Sequence, residues 1–123
     1  MARILIVDDD PDLREVASLV LDQNGHEVAT AESRSLGMKA VAEFQPELLI
    51  LDVMMEQPDD GIAMARELRR SGFSAPILML TCMPRISDAD FDRDDDMVPV
   101  TEVYEKPIDS QMLVSKVASL LNP

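Results

Sequence analysis

Apolar and polar residues along this chain fall into two kinds of block. Five short stretches have the length and aliphatic character of strands: residues 3–7, 26–30, 47–51, 76–81 and 100–105. Leu48-Leu49-Ile50-Leu51 and Ile77-Leu78-Met79-Leu80 are continuously apolar, the pattern of strands covered on both faces. Helical periods lie between them. Leu13, Val16, Ala17, Val20 and Leu21 recur at i, i+3, i+4 and i+7 behind Asp10-Pro11, an N-cap followed by proline in the first turn. Gly25 then stands where a helix C-terminus favours it. Gly37, Ala40, Val41 and Phe44 make a second stripe, ended by Pro46. Ala65, Leu68 and Gly72 belong to a third, opened by Asp59 or Asp60, and Leu113, Val117, Leu120 and Leu121 form the last. Strand alternating with helix predicts an α/β domain, a parallel sheet with helices on both faces. No linker, repeat or low-complexity tract divides it, so residues 1–123 read as one domain.

The alternation breaks at residues 82–99. Asp88, Asp90, Asp92, Asp94, Asp95 and Asp96 crowd together there around a single Arg93. A helix would set like charges at i, i+4 three times over, each costing roughly 0.2–0.5 kcal/mol, and Asp is a poor interior helix residue. The expectation for residues 88–96 is an irregular acidic loop. Its Asp-x-Asp spacing imitates a calcium loop, but Arg93 replaces the turn glycine and Pro99 the bidentate glutamate.

Composition narrows the class. A chain of 123 residues can bury a core without disulfides or a structural metal. Eleven basic against twenty-four acidic residues give a formal charge of −13, which repels nucleic-acid phosphates and anionic lipid. No direct nucleic-acid or membrane binding is therefore expected. The apolar runs are far below the ~18 residues that span a bilayer, and only Ile4 to Val7 precede Asp8, too little for a signal peptide. A cytoplasmic location follows as the expectation. One cysteine makes neither an internal disulfide nor, alone, a zinc site.

Candidate chemistry concentrates at strand ends, where open parallel sheets bind ligands. Asp8, Asp9 and Asp10 follow the first strand and Asp52 the third; Thr81 ends the fourth, and the fifth leads into Lys106-Pro107. Clustered carboxylates repel one another unless a cation is present, and hard oxygen donors suit Mg²⁺. A carboxylate oxygen can attack phosphorus, while a hydroxyl and an ammonium can hold the oxygens of a transferred group. Asp10 reads as a helix cap, and the single histidine, His26, as structural.

Taken in order, Ile4-Leu5-Ile6-Val7-Asp8-Asp9-Asp10, Leu51-Asp52-Val53-Met54-Met55, Asp60-Gly61, Thr81 and Lys106-Pro107 resemble the receiver domain of two-component response regulators, of the chemotaxis-regulator type. The resemblance implies a doubly wound, five-stranded parallel sheet of order 2-1-3-4-5, with the acidic stretch in place of the family's fourth helix. It implies that Asp52 is the phosphoacceptor, that Asp8, Asp9, Asp52 and the Met54 backbone carbonyl hold Mg²⁺, and that Thr81 and Lys106 contact phosphoryl oxygens. Such a domain is no conventional enzyme; it catalyses its own phosphorylation and dephosphorylation. Its partners would be a sensor histidine kinase or histidine phosphotransfer protein, and a downstream effector or output domain.

The resemblance also implies a cis peptide before Pro107, and it puts Met54 and Met83 over the path of hydrolytic water, which predicts a long-lived phosphoryl-aspartate. The family's switch aromatic falls at Val103, so Tyr104 should face the opposite side of its strand. Two other readings compete. A haloacid-dehalogenase-like Mg²⁺-dependent phosphatase would use Asp8 and Asp10, and a receiver-like binding module would take no phosphoryl group.

Overall fold

The period-2 alternation of strand side chains explains how such short apolar runs can serve two layers at once. The computed structural model describes residues 2–53, 60–81, 102–105 and 109–121. Its strands are β1 (Arg3–Val7), β2 (Glu27–Ala31), β3 (Leu48–Asp52), β4 (Ile77–Thr81) and β5 (Glu102–Glu105). Its helices are α1 (Pro11–Gln23), α2 (Arg34–Phe44), α3 (Asp60–Arg70) and α4 (Ser110–Leu121). All strand pairs are parallel, in the order β2-β1-β3-β4-β5. Leu5, Val7, Leu49, Leu51, Ile77 and Met79 face one layer with α2 and α3. Ile4, Ile6, Leu48, Ile50, Leu78 and Leu80 face the other with α1 and α4. Each fully buried aliphatic side chain contributes about 1.5–3 kcal/mol, so the two-sided sheet dominates stability.

Several boundaries differ from the pattern-based reading by one residue. β2 begins at Glu27 because the His26 N–H is already committed to the end of α1. Gly25 and His26 donate to the carbonyls of Asp22 and Leu21 at 3.0 and 3.1 Å, closing the helix with Gly25 at φ 88°. α3 ends the same way: Gly72 at φ 99° donates to Arg69, and Phe73 to Leu68. Gly72 therefore terminates α3 and is not part of its stripe. Val16 is a second correction. It is 55% exposed, because Leu13, Ala17 and Leu21, each four residues on, carry the buried face and leave Val16 on the outer flank. Val103 packs with the α2–α3 layer and Tyr104 with the α1–α4 layer, as strand alternation requires. Residues 82–101, which include the acidic stretch, and the Lys106-Pro107 peptide lie outside the described residues.

Candidate functional site

The β1–α1 turn begins the site. Asp8, immediately after β1, is 1% exposed, and its amide donates to the Ala31 carbonyl at 3.1 Å. Its Oδ1 accepts the Asp10 amide at 2.9 Å, which orients the carboxylate within the turn. The Arg14 guanidinium donates to the Asp8 carbonyl at 2.7 Å, tying α1 to the same residue. Asp10 faces the helix instead: Oδ1 accepts from the amides of Asp12 and Leu13 at 3.0 and 3.4 Å. That is an N-cap. It removes Asp10 from the Asp8-x-Asp10 pair that phosphatase chemistry would need.

Asp52 closes β3 and is 4% exposed. One carboxylate oxygen each from Asp8, Asp9 and Asp52 lies within 4.8 Å of the others. Neighbouring strands β1 and β3 bring these residues together, with Val7 paired to Leu51. Two buried carboxylates and one exposed one, all hard donors at this separation, fit a divalent cation of the Mg²⁺ type. Thr81, 4% exposed, ends β4 one residue past Leu80, the register partner of Asp52. The register continues from Thr81 to Glu105 in β5. Met54, Met83 and Lys106 lie outside the described residues.

The start of α3 bears directly on Asp52. The Gly61 amide donates to the Val53 carbonyl at 2.8 Å, and the Val53 amide donates to Leu80 at 3.0 Å. A Cβ on Gly61 would sit 2.0 Å from the Asp52 carbonyl oxygen, so only glycine permits this approach. Asp60, 6% exposed, faces the Arg34 guanidinium at 3.8 Å, and the other arm of that guanidinium meets Glu67 at 3.0 Å. Pattern reading finds the acidic residues because they sit at strand ends, while Gly61 enters only with the family resemblance. It misses Arg14 and Arg34, whose partners are set by packing and leave no local spacing signal.

This fold with this carboxylate cluster defines a receiver domain of two-component response regulators. The chain belongs to the response regulator receiver domain family, which matches residues 4–118. It is 34% identical to the DNA-binding dual master transcriptional regulator RpaA of Synechocystis over 98% of this chain and 49% of RpaA. It is 36% identical to the response regulator MprA of Mycobacterium leprae over 97% of this chain and 50% of MprA. The chain thus spans about half the length of these curated relatives. Among solved structures it resembles the response regulator TrrA of Thermotoga maritima in complex with Mg²⁺ and BeF, with TM-score 0.80, 31% identity and coverage of 98% and 99% of the two chains. The phosphatase alternative is set aside by this membership. No helix among the described residues is long and apolar enough to cross a membrane.

Proposed function

We propose that this chain accepts a phosphoryl group on Asp52 from the phosphohistidine of a sensor histidine kinase or a histidine phosphotransfer protein. One Asp52 carboxylate oxygen attacks phosphorus. The phosphorus–nitrogen bond breaks, its electron pair returns to the imidazole, and an acyl phosphate forms on Asp52. The observation that carries this reading is the convergence of Asp8, Asp9 and Asp52 at the carboxyl ends of β1 and β3, with Asp52 buried. Asp8, Asp9 and Asp52, with the Met54 carbonyl that the family resemblance adds, would hold Mg²⁺, which when bound would neutralise charge on the transferred group. Thr81 and Lys106 hold its oxygens.

The phosphorylated chain then signals to a downstream effector or an output domain, within the cytoplasm. The charge of −13 supports a module that makes no direct nucleic-acid contact of its own, whatever the rest of a DNA-binding relative does. Met54 and Met83 supply no good hydrogen-bond partner to an attacking water and so prolong the phosphoryl state; a Met54→Asn/Met83→Glu variant should lose its phosphoryl group faster.

Intact-mass measurement with acetyl phosphate and Mg²⁺ tests the central claim. One phosphoryl adduct on the wild type, absent with Asp52→Asn or with chelator, is the expected result. An adduct that survives Asp52→Asn overturns the acceptor assignment, and no adduct on the wild type favours a receiver-like binding module.

A further inference from the structure

Arg34 is the first residue of α2, far from Asp52 in sequence, yet it grips the element that touches Asp52. Its Nη1 lies 3.8 Å from Asp60 Oδ1 and its Nη2 3.0 Å from Glu67 Oε1. Asp60 and Glu67 are two helical turns apart on one face of α3, so the planar guanidinium lies along that face like a strap. The Asp60 side chain is only 9% exposed, against 37% for Arg34, which makes it a nearly buried anion beside a half-exposed cation. Between the two grips, Met64 Cε occupies space that a Cβ on Gly37 of α2 would enter, at 2.9 Å, and Val7 closes the other side at 3.0 Å. The α2–α3 seam is therefore close and has little slack.

The first turn of α3 then transmits this grip to the acceptor. Gly61 adjoins Asp60, donates to the Val53 carbonyl at 2.8 Å, and has its Cα against the Asp52 peptide. A shift of the α3 start moves the peptide from which the Asp52 carboxylate projects.

We propose that Arg34 is a positioning residue for the acidic site: by holding Asp60 it fixes the start of α3 against Asp52 and sets the Asp52 carboxylate relative to Asp8 and Asp9. This rests on the reading of Asp8, Asp9 and Asp52 as the Mg²⁺-binding acceptor cluster.

The sign of the effect separates positioning from simple electrostatics. Arg34→Ala removes a positive charge from the neighbourhood of an acidic cluster, and on Coulomb grounds alone that strengthens cation binding. Positioning predicts the reverse. Calorimetric titration of the full chain with Mg²⁺ should show Arg34→Ala weakening affinity on the order of tenfold, the low end for partners behind a metal's ligands. Arg34→Lys, which keeps the charge but cannot fork between Asp60 and Glu67, should recover part of the loss. Arg3→Ala, which breaks the exposed Arg3–Glu47 pair at the other end of the sheet, should leave affinity unchanged.

In an Asp60→Asn background, Arg34→Ala should change affinity by less than about twofold, because the pair acts as a unit; a full loss there means that Arg34 acts elsewhere. Affinity for Arg34→Ala equal to or tighter than wild type overturns the positioning role while leaving the acceptor assignment intact. Absence of Mg²⁺ binding by the wild type overturns both. If Arg34→Ala does not fold, Arg34→Gln keeps most of the side chain but loses the charge and the fork, and Mg²⁺ affinity equal to or tighter than wild type in that variant likewise overturns the proposal.

Discussion

Asp9 differs from its two neighbours in the cluster by being exposed. Asp8 and Asp52 are held by the turn and the sheet, so their mutual approach is part of the folded backbone, while Asp9 adds a third negative charge at the rim. Removing that charge with Asp9→Asn should raise the stability of the metal-free chain, because like charges at this separation repel. Solvent screens an exposed carboxylate, so the expected gain is small, a rise in Tm of about 2–4 °C. Saturating Mg²⁺ should reverse the order, because on the proposed reading the intact cluster binds the ion more tightly and is stabilised by mass action. Thermal melts of both proteins with Mg²⁺ and with chelator check the crossing. A variant that melts lower than wild type in chelator contradicts the repulsion argument.

Contact geometry separates two glycines at the level of the elements. At Gly61 an added methyl would meet backbone, the Asp52 carbonyl oxygen at 2.0 Å, and backbone cannot yield without moving α3 or β3. At Gly37 it would meet the end of Met64 at 2.9 Å and the Val7 methyls at 3.0 Å. Gly61→Ala should therefore cost about 3 kcal/mol or more, and Gly37→Ala about 1–2 kcal/mol. Urea unfolding gives both values, and the reverse ranking would contradict the packing.

The α3–β4 connection supplies another case. Arg69 donates to the carbonyls of Phe73 and Ala75 at 2.8 Å each and lies 5.7 Å from the Phe73 ring centroid; burial lowers its pKa from the ordinary arginine value. Arg69→Ala should destabilise by about 2 kcal/mol, through loss of charged hydrogen bonds to two carbonyls. Arg69→Lys should not restore the full value, since an ammonium lacks the fork.

These elements also indicate what the sequence could reveal. Asp10-Pro11, Gly25 and the apolar runs act locally, through caps and alternation, so α1 and the sheet were legible. Val16 and Gly72 fit a helical stripe by spacing but not by direction, and only packing or a positive φ decides such residues.

Over the whole molecule, the charge balance is the feature that no single contact reveals. Eleven basic residues cannot neutralise twenty-four acidic ones, whatever pairs they form. Folding brings that excess charge closer together, and net charge of this size opposes compaction. Raising NaCl from about 20 to about 200 mM should therefore increase Tm by a few degrees through screening. A Tm that falls over this range would mean that the attractive pairs outweigh the net repulsion. The α/β class was legible because two-sided burial and strand-end carboxylates recur in chain order, whereas the strand order 2-1-3-4-5 came from the family resemblance. The Arg34–Asp60 and Arg14–Asp8 links were not, since each depends on where packing carries a long side chain.

Lys116 of α4 stands 5.5 Å from the centroid of the Tyr104 ring while pairing with Glu102 on the same strand. Tyr104 is the only tyrosine in the chain, and there is no tryptophan. Every tyrosine photon the molecule emits therefore originates at the seam between β5 and α4, under a cation that depends on that seam for its place. The unlabelled protein carries its own optical gauge of the strand next to Lys106. Events at the acidic end of the sheet that change the Tyr104–Lys116 contact should alter that emission.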